Sequence, residues 1–213
     1  MTGLTSQVKC FQKWADAYPP DCRYGEWECD YPDWKSLYEA VLEFVADHPF
    51  GEWSTEQLEA VFYALARDNE CQYLAEQICE RHHETLIELA AASISLGEPD
   101  AKWQLAEELG QLQSSRGRTE KILLDFSRDT DEYVRRRALM SLARIESGSV
   151  EKLALATWHQ PHKNQQWSRM AVLWSLHRVG SSHLEPLLAE AELDSRPHLS
   201  AYARRVRQGQ VEP

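Results

Sequence analysis

Apolar side chains recur along this chain at spacings of three and four residues, and no alternation of period two persists, so the pattern predicts an all-α protein. Val8, Phe11, Trp14 and Ala15 mark the inward face of a first helix over 5–17. Tyr18-Pro19-Pro20 ends it, because a proline pair cannot continue the hydrogen-bond ladder. Residues 21–34 carry no period of either kind and read as a loop. From Pro32-Asp33 to about His48 a second helix presents Trp34, Leu37, Tyr38, Val41, Leu42, Phe44 and Val45, with Pro49 and Gly51 as its stop. Ser54-Thr55-Glu56-Gln57 has the spacing of a capping box, and the helix it opens turns Leu58, Val61, Phe62 and Leu65 inward. Further helices are predicted over 69–80, 83–95, 100–113, 118–127, 131–146, 149–158, 164–179, 182–193 and 196–207, joined by short polar links.

One of these segments repeats. Tyr133-Val134-Arg135, continuing to Ser141-Leu142-Ala143-Arg144-Ile145, returns thirty-four residues later as Trp167-Ser168-Arg169, continuing to Ser175-Leu176-His177-Arg178-Val179. Looser copies stand at 102–112 and 201–206, and shorter apolar segments at 120–124, 151–155 and 185–188 precede the later copies. A period of thirty-odd residues with two apolar segments per unit is the mark of stacked helical hairpins. Val134, Ala138, Leu142 and Ile145 fall on one stripe, as do Leu173, Leu176 and Val179, and are expected to hold the shape without performing chemistry.

At these residues the chain resembles HEAT-like repeats of the short kind also seen in phycobilisome-lyase-type proteins, whose unit reads Asp-x-x-x-Val-Arg-x-x-Ala-x-x-x-Leu. Asp131, Val134-Arg135, Ala138 and Leu142 carry the likeness. The resemblance implies an α-solenoid of stacked antiparallel helical hairpins forming one domain over 1–213. Divergent N-terminal helices over 1–98 would cap it, recognisable repeats would fill 99–207, and 208–213 would be a tail. It also implies a structural ladder of Asp131 with Arg135 and Arg169, although the next unit places Gln165 and Ser168 where Asp and Val are expected. Arrays of this kind mostly bind other macromolecules. The chain is also similar to immunity proteins encoded beside bacterial polymorphic toxins, a likeness that includes Ala66-Arg67-Asp68-Asn69-Glu70-Cys71.

Charge sharpens that expectation. The net charge is −11, but residues 1–115 hold 22 acidic against 7 basic side chains, and residues 116–213 hold 12 against 16. Such a lopsided field steers encounter with an oppositely charged partner and disfavours nucleic acid. No apolar run approaches the roughly 18 residues needed to cross a bilayer, and the N-terminus has no signal-peptide pattern. Five cysteines without CxxC spacing fit reduced thiols, so a soluble cytoplasmic protein is expected.

Phosphate-loop, GxSxG and HExxH motifs are absent. Cys79, His82 and His83, with Cys71 nearby, and the set His159, His162, His177 and His183 read as ordinary surface or helix-end residues ahead of metal ligands. The expected function is therefore a non-catalytic protein-binding module without a cofactor, most specifically an immunity protein that neutralises a basic toxin. Its acidic aromatic contact residues would be Tyr24, Glu26, Trp27, Glu28, Asp30 and Asp33, with Tyr24 and Trp27 exposed. On the repeats, Arg136, Arg137, Trp167 and Arg169 would add to it. The alternative is a HEAT-like enzyme or nucleic-acid-binding protein, glycosylase-like or lyase-like, centred on Asp129, Trp167 and Arg169 or on the arginines at 135–137, 144, 169, 178, 204, 205 and 207.

Overall fold

Each predicted amphipathic segment becomes a helix. The structure, a computed structural model, describes residues 3–112, 116–160 and 166–211. Among these residues there are twelve α-helices and no strand: α1 Leu4–Ala17, α2 Trp34–Asp47, α3 Thr55–Arg67, α4 Tyr73–Arg81, α5 His83–Leu96, α6 Pro99–Leu109, α7 Arg116–Phe126, α8 Glu132–Arg144, α9 Val150–Trp158, α10 Gln166–Arg178, α11 Leu184–Glu192 and α12 Pro197–Arg207. None of them is long and apolar enough to cross a membrane. The chain divides into two compact units, Met1–Glu108 and Leu109–Pro213.

In the first unit α1 packs on α2 and α3, and α4 packs on α2 and α5. The capping box forms as expected: the Gln57 N–H donates to Ser54 Oγ at 3.2 Å, and the Ser54 N–H donates to Gln57 Oε1 at 2.8 Å. Residues 21–34 depart from the expected loop. A 3-10 turn at Pro20–Cys22 leads into them, a second lies at Trp27–Asp30, and the segment folds back over α1. Trp27 stacks flat on Trp14 at 5.6 Å, Tyr31 lies buried against Phe11 at 4.5 Å, and the Trp34 indole N–H donates to the Glu28 carbonyl at 3.0 Å. Arg23 covers Trp27 at 5.2 Å and donates to the Ala15 carbonyl. Ring contacts between segments have no periodicity, which is why the sequence pattern is blind to this structure.

In the second unit α8 packs on α7, α9 and α10, and α10 packs on α9, α11 and α12. Val134, Ala138, Leu142 and Ile145 are buried as one stripe, and Leu173 and Leu176 are fully buried in the next copy. Helix α10 is enclosed further round than that stripe implies, with every residue from Met170 to Leu176 buried.

The thirty-four-residue repeat is carried into the turn geometry. After α8 the Ser147 N–H reaches back to the Leu142 carbonyl, and after α10 the Ser181 N–H reaches back to the Leu176 carbonyl, each at 2.9 Å. This six-to-one bond requires a left-handed residue between, which is Glu146 (φ 55°) in one copy and Gly180 (φ 66°) in the other. A side chain in that conformation costs about 1 kcal/mol relative to glycine. Glu146→Gly is therefore expected to raise the unfolding free energy by about 1 kcal/mol, read as a higher urea midpoint at unchanged slope, and an unchanged midpoint would contradict it.

The Asp–Arg ladder is not formed. The Asp131 carboxylate caps its own helix, accepting from the Tyr133 and Val134 N–H groups at 2.8 and 3.1 Å. Arg135 donates to the Asp129 and Thr130 carbonyls, both at 2.7 Å, and Arg169 turns to Asp194 at 3.4 Å. Both backbone donors meet Asp131 Oδ1, which fixes the carboxylate as an N-cap, while both arginines are engaged elsewhere.

Candidate functional site

The structural boundary coincides with the electrical one. Residues 1–108 hold 22 acidic and 7 basic side chains, a formal −15, and residues 109–213 hold 12 and 16, a formal +4.

The acidic stretch of the first unit presents two kinds of residue. Tyr24 is 78% exposed, and Glu26, Asp30 and Asp33 are exposed, as is Glu70. Asp30 accepts from the Tyr18 hydroxyl and Asp33 from the Ser36 hydroxyl, both at 2.6 Å. The Tyr18 phenol is held up to about 12, first by that bond to Asp30. Among the described residues none of these four carboxylates forms an ion pair. Slight burial and then the neighbouring Glu26 carboxylate raise the Glu70 carboxyl above its ordinary range. The expected contact set is corrected in two places. Trp27 is half-buried through its stack on Trp14. Glu28 is 5% exposed, inside the fold, within 3.7 Å of Arg67, so its side chain is withdrawn from the surface.

Arg67 and Asp68 at the end of α3, which enter the sequence pattern only as part of a family likeness, organise this region. Arg67 joins Glu28 to Glu98 and lies over the Tyr63 ring at 5.4 Å. Asp68, 2% exposed, accepts from the Tyr38 hydroxyl at 2.6 Å and from the Leu74 N–H at 2.8 Å. Burial pushes its carboxyl up to about 6, although both of those bonds pull the other way. The available signal was an Arg-Asp pair directly after the buried run Ala64-Leu65-Ala66.

The candidates of the second unit are dispersed over α8 and α10. Arg136 pairs with Glu132 at 3.3 Å and lies over the Tyr133 ring at 4.4 Å. Arg137 donates to the Tyr133 hydroxyl at 2.6 Å. Trp167 is 42% exposed and stacks on His198 at 5.2 Å. Arg169 lies over Trp158 at 4.6 Å, donates to the Trp158 carbonyl and pairs with Glu190 and Asp194. These contacts already engage much of the positive charge that a phosphate backbone would need. A pocket of about 330 Å³ opens beside Arg135 and Arg136, lined by Glu132, Thr157, Gln160 and Ser168 rather than by Asp129, Trp167 and Arg169.

Among the described residues no three His, Cys, Asp or Glu side chains are placed to hold a metal ion. Cys79 is buried, its thiol directed at the Glu108 carbonyl at 3.7 Å and pushed up to about 12, mainly by burial. His83, Cys71, His159, His177 and His183 are exposed, and His82 joins α4 to α5. His162 and Gln165 lie outside the described residues. No model of a known protein family matches the chain, and no curated protein matches it in sequence.

Proposed function

We propose that this chain is a non-catalytic protein-binding module in which HEAT-like hairpins stack as a solenoid. Its acidic first unit would receive a basic protein, most specifically a toxin that it neutralises as an immunity protein. The observation that carries this reading is the set of exposed carboxylates Glu26, Asp30, Asp33 and Glu70, none of them in an ion pair among the described residues, on the unit that also exposes Tyr24. Mutually repelling carboxylates gain when a cation arrives, and a protruding tyrosine supplies contact area at low entropic cost. The solenoid part is supported by the repeated turn bonds after α8 and α10 and by the packing of α8 on α10 and of α10 on α12. A standard interface would bury roughly 800 Å² on each side.

The partner to test is the product of an adjacent reading frame. Co-expression is expected to restore growth of a host poisoned by it. The purified complex should lose roughly tenfold in affinity, mostly through association rate, between low and physiological salt. Joint replacement of Glu26, Asp30 and Asp33 by their amides should reproduce that loss without changing helix content. A complex indifferent to ionic strength, or tight binding of duplex DNA at low salt, would refute the reading.

A further inference from the structure

We propose that the pocket between α8, α9 and α10, bordered by the turn that follows α7, is a binding site for a single carboxylate carried on a small apolar body. It is independent of the acidic face of the first unit, and neither reading requires the other. Its charged walls are Arg135, Arg136 and Glu132, which leave a net charge of one positive in a chain of net −11.

The three have separate tasks. Arg135 has Nη1 tied to the Asp129 and Thr130 carbonyls, which pins the side chain at the rim, where it adds positive field. Glu132 Oε1 accepts from the Ser168 hydroxyl and lies 3.3 Å from Arg136 Nε, so one oxygen meets both groups. Arg136 thus has one edge turned to Glu132 and one face laid on the Tyr133 ring. Its two terminal nitrogens have no hydrogen-bond acceptor among the described residues, and they form the fork that fits a carboxylate. Thr157 and Gln160 line the same pocket, and their hydroxyl and amide likewise donate to no described residue. Leu139 and Leu153 supply the apolar lining.

A net charge of one positive, with Glu132 in the wall beside the Arg136 fork, matches a monoanion. A phosphate dianion would set its second charge against Glu132, whose position Ser168 secures. The pocket also accounts for the repeat's departure at Ser168. That residue stands at the register of the fully buried Val134, and its hydroxyl replaces an apolar filler with the group that fastens Glu132. The volume is at the small end of the range for small-molecule sites.

The test is calorimetric titration of the full chain with four probes. These are 4-methylpentanoate, its uncharged amide, a pentapeptide blocked at both ends with one central glutamate, and inorganic phosphate. The acid or the peptide should bind, with the amide and phosphate at least roughly tenfold weaker, the factor that one charge-assisted fork supplies. Binding of the free acid assigns a small-molecule ligand, and binding of the peptide alone assigns a carboxylate on a partner protein. Arg136→Gln should weaken binding roughly tenfold, while Arg204→Gln, exposed on α12, should bind as the unsubstituted chain does. If Arg136→Gln loses its helical signal, Thr157→Val with Gln160→Ala carries the comparison, with an expected loss of roughly fivefold from two neutral donors. Absence of binding by both carboxylate probes overturns the proposal, as does an amide or phosphate that binds equally. Affinity insensitive to the loss of these donors overturns it too.

Discussion

Replacing Asp68 with alanine is expected to lower the unfolding free energy by about 3 kcal/mol at pH 5, because it strands one buried and one part-buried donor at about 1–3 kcal/mol each. The donors are the Tyr38 hydroxyl on α2 and the Leu74 N–H at the start of α4, and the carboxyl they share is 2% exposed. Both ends of that connection would loosen together, so urea unfolding should show a lower midpoint without a new helical baseline. A loss below about 1 kcal/mol would mean that water takes over both donors.

The same residue predicts a dependence on pH whose sign is fixed by its environment. Burial raises the folded-state value to about 6, against about 3.9 in an unfolded chain, so the folded protein binds this proton more tightly. Its contribution is therefore fully present below about pH 4 and is lost as pH rises through about 6. The span is worth about 3 kcal/mol. Asp194 runs the opposite way, since its bond to Arg196 holds it down to about 2. The measurement that isolates Asp68 is thus the difference between the unsubstituted chain and Asp68→Asn. The asparagine variant should show a flatter stability profile between pH 4 and 7. Parallel profiles would remove Asp68 as the source.

The second large effect is expected at Gly110. A methyl group there would stand 2.7 Å from Ser141 Oγ, 2.8 Å from its Cβ and 3.0 Å from its Cα. The last of these is backbone, so relief requires a shift of α8 and not merely a turned side chain. Gly110→Ala should cost about 2–3 kcal/mol. Adding Ser141→Gly removes the two nearest atoms and should recover part of that loss, despite the roughly 1 kcal/mol that glycine costs inside a helix. A double variant whose loss equals the sum of the two single losses would show that this contact is not the cause.

These residues also mark where sequence reading stops. Glycine at 110 and serine at 141 look like weak points in otherwise helical segments, and only their approach in space explains the need for small side chains. Ser175, the repeat partner of Ser141, is likewise fully buried. The aromatic residues between 24 and 34 were legible as a group rich in interface types. Their sorting into an exposed Tyr24, a stacked Trp27 and a buried Tyr31 depends on where Trp14 and Phe11 come to lie. Glu28 illustrates the hazard: a carboxylate in an acidic run reads as surface, yet it lies buried within 3.7 Å of Arg67, thirty-nine positions further on.

The all-α class, helix positions to within a few residues, the Ser54 capping box, the buried stripe of α8 and the segregation of charge were set by the sequence alone. Each depends on neighbours one or two turns apart, or on composition, and neither needs a third dimension. The tertiary structure decided which charges are used up internally, which aromatic rings remain outside, and where Arg136 has donors to spare. Those outcomes depend on groups far apart in the chain and close in space, whose pairing has no period for a pattern to reveal.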